Sequence, residues 1–533
     1  MGKNTFYLTT PIYYVNDKPH IGHAYTTILG DVLSRCHRLL GEPTHFLTGT
    51  DEHGQKVEQA ARRNGVSPQE HCDTYVKRFQ ELWERLGISN DDFIRTTEQR
   101  HVVIVQKILQ DLWDRQLIYQ ADYEGWYCVG CERYFTEKDL KDGCCPDCGR
   151  HVDKLVEKNY FFKMSQYQQQ LIDYINDHPR FLLPLNRRQE TLGFLKQPLG
   201  DLCISRAKSR LSWGIELPFD HDYVTYVWFD ALVNYISAVG YLADDAEFNK
   251  WWPASYHLIG KDILTTHSVY WPTMLMAMNL PLPETIFAHG WWLTPPPPEL
   301  TVSNSAQVSQ EGVKMSKSLG NVVNPMDMAD KYGVDALRYF LMAAMALGQD
   351  ATFTEESFVT RFNADLANNL GNLLSRTTKM IEKNFAGALP PASEPGEDER
   401  ELVGSVQNAV AAMRNAILNM QLDRGIAEVM AAAGATNRYF DTMKPWVLAK
   451  EGNTAALGRV LRNTAEALRV IGGLLYPVMP VKMAELRRLL GVPEEQLAPV
   501  MSQLEHWNQL PDGATVGQLA TPLFPRIDLP KQA

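Results

Sequence analysis

No stretch of this sequence approaches the ~20 consecutive apolar residues of a membrane-spanning helix, which excludes a helical membrane protein. The start, Met1-Gly2-Lys3-Asn4-Thr5-Phe6, has no apolar core of a secretory leader, and Phe6 breaks the myristoylation pattern. A cytoplasmic protein is the expectation. Positive charge is not in excess either. Lys and Arg number 52 against 63 Asp and Glu, a net charge of −11. Bulk attraction to nucleic acid is thereby excluded, so any basic surface must be local and its binding salt-sensitive. Cysteine is scarce, with eight in 533 residues, and no disulfides are expected without a secretory signal. No long repeat is visible.

Hydrophobic residues make up 45% of the chain, enough for large cores, and the length suits about three or four domains. Cys36, Cys72 and Cys203 are scattered and read as buried small hydrophobes. The other five cluster. Cys128-Val129-Gly130-Cys131 and Cys145-Pro146-Asp147-Cys148 form two C-x-x-C pairs with a short spacer. Four thiolates suit tetrahedral zinc, and filling every position makes the site structural, one ion per chain. Cys144 adjoins Cys145 and leaves one ligand open. The spacing favours Cys145, and His151 is a weaker substitute.

The first fifty residues read strand, helix, strand: Phe6–Thr10, Ala24–Leu40 and Thr44–Thr50. This is a right-handed βαβ unit. Pro19-His20-Ile21-Gly22-His23 lies at its first strand-to-helix junction, where backbone N–H groups and the helix dipole attract anions. Gly22 is read as room for a bulky ligand, and the imidazoles as donors to a phosphate. The second strand ends in Asp51-Glu52-His53-Gly54. Ligands of parallel sheets bind beyond the carboxyl ends of strands, so Asp51 and the histidine loop should share one crevice.

Far downstream stands Lys314-Met315-Ser316-Lys317-Ser318, with Gly320 close by. His-Ile-Gly-His after an early strand, followed late by Lys-Met-Ser-Lys-Ser, resembles the paired signatures of class I aminoacyl-tRNA synthetases. Thr10-Pro11-Ile12-Tyr13-Tyr14-Val15-Asn16, Val227-Trp228-Phe229-Asp230-Ala231, Ile259-Gly260-Lys261-Asp262-Ile263 and Pro445-Trp446 resemble its methionine-specific branch. The resemblance spans nearly the whole chain. It implies an α/β protein, with a Rossmann-like parallel-sheet catalytic domain split by a zinc-binding connective insertion. An α-helical bundle that binds the anticodon follows. The expected boundaries are 1–116 and 201–300 for the catalytic halves and 117–200 for the insertion. The lysine loop and stem-contact region take 301–357, and the bundle with its tail takes 358–533.

It also implies roles. ATP, accompanied by magnesium, contacts His20, Gly22, His23, Lys314, Ser316 and Lys317. His20, His23, Lys314 and Lys317 carry catalysis by stabilising phosphate charge. Asp51 holds the α-ammonium of L-methionine, and Arg206 lies near its carboxylate. Ile12, Tyr14, Trp228, Ala231, Tyr235, Ile263 and His267 would make an apolar, polarisable thioether pocket. Rejecting a substrate one methylene short yields only ~1–3 kcal/mol, so homocysteine would call for editing. Asn372 and Arg376, four apart on one helix face, would read the CAU anticodon of tRNA(Met) together with Trp446. A monomer is expected. Two rivals stand beside this reading: a cysteine-specific synthetase, whose zinc would need an open position, and a non-enzymatic zinc-dependent RNA-binding protein.

Several elements are expected on pattern alone. A helical pattern covers 56–86 and another 98–116. Strands are expected at Tyr223–Asp230, His257–Asp262 and Phe287–Leu293. The proline-rich segment 295–312 reads as an insertion. From Phe358 a helical bundle runs to about Leu497, and the tail beyond shows no clear period.

Overall fold

The structure, a computed structural model, describes residues 4–15, 19–129, 133–135, 137–146, 149–296, 312–315, 321, 323–394 and 396–528. The chain divides into two units, residues 1–30 with 44–289 and residues 31–43 with 290–533. No helix among the described residues is long and apolar enough to cross a membrane.

The first unit is organised by a parallel sheet. Its strands run, edge to edge, Asp92–Arg95, Thr44–Asp51, Phe6–Tyr14, Tyr256–Gly260, Thr285–His289 and Leu182–Leu183. The central strands are buried along most of their length, as a parallel sheet covered on both faces requires. Pairing of Phe6–Tyr14 with Thr44–Asp51 shifts register between Thr9 and Ile12. Pro11 sits in that gap and has no N–H to give the ladder. After the shift, Tyr14 faces Asp51 at the carboxyl edge.

Three expected elements are corrected. The helical pattern over 56–86 is two helices, Gln55–Asn64 and Pro68–Arg85. Gly65 takes a left-handed φ of 69°, and Ser67 with Glu70 forms a capping box ahead of Pro68. The strand expected over 223–230 stops at Thr225, and Val227–Leu232 is helical. Thr225 makes the last pair with Ser205, and Tyr226 O then accepts from Phe229 N and Asp230 N, which turns the chain. Aromatic and β-branched content is a weak preference that tertiary context overrides here. The expected strand 287–293 is interrupted as well, with Thr285–His289 and Trp292–Thr294 in different sheets.

Residues 118–203 carry an antiparallel sheet in the order Arg133–Phe135, Ile118–Cys128, Asp153–Phe162, Leu202–Cys203. The second unit combines a small sheet, Val313–Lys314, Trp292–Thr294 and Ala351–Thr352, with helices. Its central helix, Thr454–Leu475, is buried from Val460 to its end. Charged side chains on this helix hold the tail. Arg462 donates to Leu510 O at 2.5 Å, Arg469 to His506 O at 2.8 Å, and Glu466 accepts from Gln509 N at 2.8 Å. Fully buried Arg338 bonds Asp31 at 2.6 Å and donates to Val478 O at 2.8 Å.

Candidate functional site

His20 and His23 open the helix Ile21–Leu39, and their rings stack with centroids 3.8 Å apart. His20 Nδ1 accepts from Gly22 N at 3.1 Å, and His23 Nδ1 accepts from His20 N at 3.3 Å. Each neutral ring therefore carries its proton on Nε2, the nitrogen a phosphate oxygen would use. Among the backbone N–H groups of this junction, that of Gly22 is taken by His20 itself. Gly22 makes room for that ring, since a Cβ there would lie 2.9 Å from His20 Cε1. Tyr13 flanks His23 at 4.9 Å.

Beyond the carboxyl edge, Tyr14, Trp228, Tyr235 and His267 come together. Trp228 meets Tyr14 edge-on at 6.5 Å and His267 edge-on at 6.3 Å. Tyr235 Oη lies 2.8 Å from His267 Nε2, and His267 Nδ1 lies 3.0 Å from Ile263 O. A carbonyl only accepts, so Nδ1 carries the proton of His267 and Nε2 accepts from the tyrosine. Burial pushes the His267 pKa down to about 4, keeping the ring neutral, and raises that of Tyr235. His267 rides on a π-helical turn, Thr266–Tyr270, a device often found where a helix must re-aim a side chain. Ile12, Ile263 and Trp228 are partly buried and pack on the same core, and Ala231 is buried at one turn from Trp228. Asp51 is buried at the end of its strand.

Arg206 is also buried, with its guanidinium 4.7 Å from the Tyr226 ring centre and 5.0 Å from that of Tyr127. Its Nη1 donates to Ser205 O at 2.6 Å. An aromatic slot thus holds the cation expected near the substrate carboxylate.

Pattern reading missed a polar node beside this pocket. Asp230 is fully buried, with Oδ2 2.6 Å from His53 Nδ1 and Oδ1 2.6 Å from His101 Nε2. Burial opposes its charge, but the two histidines outweigh that and hold the carboxyl below its usual range. His53 was visible in the Asp51-Glu52-His53 run, whereas His101 lies in an ordinary helical pattern.

Lys314 ends the short strand Val313–Lys314 in the second unit, with its ammonium 3.8 Å from the Trp291 ring centre. Ser316, Lys317, Ser318 and Gly320 lie outside the described residues, as do Asn16 and most of the proline-rich segment.

Of the expected zinc ligands, Cys131 and Cys148 also lie outside the described residues. Cys128 and Cys145 are buried in one small cluster with Phe135 and Val152. A tight turn aims Cys145 inward: its N donates to Arg150 O at 2.8 Å, and its O accepts from Gly149 N at 2.9 Å. Cys144 is half-buried and bridges to Lys141 and His151. His151 is exposed. Among the described residues, no three His, Cys, Asp or Glu side chains group as a metal site.

In the bundle, Asn372 begins the helix Asn372–Phe385 on its exposed side, with Arg376 one turn on. Arg376 Nη1 donates to Asp441 at 2.7 Å and Nη2 to Asn437 Oδ1 at 2.8 Å. Its guanidinium lies 4.7 Å from the Phe440 ring centre, and Trp446 tilts against the same ring at 6.5 Å. Trp446 is 49% exposed, so it is not core and its face is available for stacking.

Comparison with known proteins bears on all of these regions. A family model described as tRNA synthetases class I (M) matches residues 6–155 and 150–378. Another, described as the anticodon binding domain of methionyl tRNA ligase, matches residues 389–530. The methionine–tRNA ligase of Caldanaerobacter subterraneus subsp. tengcongensis is 46% identical over 536 residues, 99% of this chain and 80% of that protein. That of Thermotoga maritima is 44% identical over 98% of this chain and 80% of its own length. Among solved structures, Mycobacterium tuberculosis methionyl-tRNA synthetase in complex with methionyl-adenylate superposes with a TM-score of 0.90. It is 36% identical and covers 98% of this chain and 100% of that one. The apo form of the same enzyme gives 0.84 at 34% identity, over 99% of each chain.

Proposed function

Since the chain belongs to the class I methionyl-tRNA synthetases, we propose an assignment of its residues to the steps of that reaction. It is a methionine–tRNA ligase: ATP activates L-methionine to methionyl-adenylate, and the methionyl group passes to tRNA. The observation that carries the residue assignment is the Tyr14–Trp228–His267–Tyr235 constellation at the carboxyl edge of the sheet, with Asp51 paired to Tyr14.

In this assignment the aromatic walls receive the thioether, where sulfur–ring contacts favour methionine modestly. Ile12, Ala231 and Ile263 complete the apolar lining. Asp51 holds the α-ammonium, and Arg206 supplies the cation for the carboxylate. The carboxylate attacks the α-phosphate of ATP while Nε2–H of His20 and His23 donate to phosphate oxygens. Gly22 keeps the His20 ring in place, and Lys314, Ser316 and Lys317 stabilise the leaving pyrophosphate. Magnesium bound with ATP shares that charge. No protein nucleophile is needed, because catalysis is positioning plus electrostatic stabilisation.

Zinc fits the insertion in its role of cross-link. Buried Cys128 and Cys145 in one cluster support a ligand set of Cys128, Cys131, Cys145 and Cys148. The half-buried position of Cys144 speaks against it as a ligand. In the bundle, Trp446 stacks on an anticodon base of tRNA(Met), while Asn372 and Arg376 reach hydrogen-bonding edges.

ATP–pyrophosphate exchange with each amino acid in turn tests the central assignment. Methionine alone should support rapid exchange. Exchange driven by cysteine, or by no amino acid, would overturn it.

A further inference from the structure

Behind the pocket lies a second tier of side chains that no step above uses. Its centre is His257, fully buried in the strand Tyr256–Gly260. Trp271 Nε1 donates to His257 Nε2 at 3.1 Å. An indole only donates, so His257 Nε2 carries no proton and the ring is neutral. The proton sits on Nδ1 and is donated to Thr9 Oγ1 at 2.7 Å. Both nitrogens are thus committed, and the ring can neither turn nor change tautomer without losing a bond. Its face stacks on Tyr235, with centroids 4.3 Å apart and planes 29° apart. Tyr235 is fixed a second time through its backbone, because Tyr7 Oη donates to Tyr235 O at 2.8 Å. Its hydroxyl proton goes to His267 Nε2.

We propose that His257 is a positioning residue for methionine selection: locked between Thr9 and Trp271, it backs the Tyr235 ring and so fixes the Tyr235–His267 pair that bounds the thioether pocket. This rests on the pocket assignment given above. The chain of contact runs one way, from sheet to His257, to Tyr235, to His267, and includes neither His20 nor His23. Loss of His257 should therefore weaken methionine binding without weakening ATP binding. Tyr235 would gain freedom to tilt, and His267 Nε2 would lose its fixed donor.

The test is steady-state ATP–pyrophosphate exchange with the full chain, reading KM for methionine, KM for ATP and kcat separately. His257→Leu removes both hydrogen bonds and the stacked ring. His257→Asn is a milder second variant that keeps a donor toward Thr9. Methionine KM should rise about tenfold in His257→Leu and about threefold in His257→Asn, with ATP KM and kcat within about twofold of the parent. The decisive measurement is a double-mutant cycle. On a Tyr235→Ala background, replacing His257 should no longer change methionine KM, because the residue through which it acts is gone. Equal rises in methionine and ATP KM would overturn the proposal. So would an unchanged methionine KM in whichever variant folds, or additive effects in the cycle. A Tyr235→Ala chain with unchanged methionine KM would overturn the pocket assignment itself, and the positioning role with it.

Discussion

His267, assigned above to the thioether pocket, also bears on acid stability. Its folded pKa lies at about 4, below the 6.5 of an exposed histidine. Below pH 6.5 the unfolded chain takes up a proton that the folded chain refuses, so folded stability falls as pH drops toward 4 and is fully present above 6.5. The slope is about 1.4 kcal/mol per pH unit for one such group. Denaturant unfolding between pH 7 and 4 should show a shallower dependence in His267→Gln than in the parent. Identical slopes would mean that the ring is already protonated in the folded state. At the phosphate end, losing a charge-assisted hydrogen bond costs roughly 1.5–3 kcal/mol, or about ten- to a hundredfold in rate. His23→Ala should slow adenylate formation by that much with the fold retained. Undiminished exchange would remove His23 from the mechanism. Residues of this kind were legible because motif and position coincide. His257, Thr9 and Trp271 were not, since a buried histidine or tryptophan in a strand or helix looks like ordinary core. Asp230 was quoted only as part of a motif, and its two histidine partners come from segments 129 and 177 residues away in sequence.

Among elements, the four central parallel strands were legible from their composition and the bundle helices from their periodicity, while the edge strands Asp92–Arg95 and Leu182–Leu183 were not expected and other errors fell at punctuation. The break at Gly65 and Ser67 was written in turn and cap residues, yet a continuous helical pattern hid it. Val227–Leu232 has strand-like composition but is helical, because pairing ends at Thr225 and Tyr226 O accepts from Phe229 N and Asp230 N. The cysteine pairs pointed to a metal site but not to the antiparallel sheet on which Cys128 ends its strand. That sheet makes a definite expectation for metal. Cys145→Ser should lower zinc below one ion per chain and loosen the insertion, since metal binding and local folding are coupled. Cys144→Ser should leave both unchanged. Metal analysis with limited proteolysis of the two variants separates them, and equal zinc loss in both would require a different ligand set.

For the whole molecule, the proposed assignment gives methionine activation and tRNA reading to different residues. Stacking on a base is worth about 1–3 kcal/mol. Trp446→Ala should weaken aminoacylation of tRNA by at least about tenfold while leaving methionine-dependent exchange nearly untouched. Equal loss of both activities would make Trp446 structural. The tail past Leu497 was the least legible region. Arg462, Glu466 and Arg469 are buried despite their charge and hold the tail through its backbone, which no period in the tail itself announces. A similar long-distance bond joins Asp31 to Arg338, 307 residues later. Translation makes that separation a wait. At about 5–20 residues per second, Asp31 is synthesised roughly 15–60 s before its arginine. Pro477 and Val478, whose carbonyls also receive Arg338, come later still. Until Arg338 is made, the partner of Asp31 already in the chain is Arg35, one helix turn on and 2.8 Å away in the folded chain, and the second unit cannot close around this carboxylate before residue 478 is made.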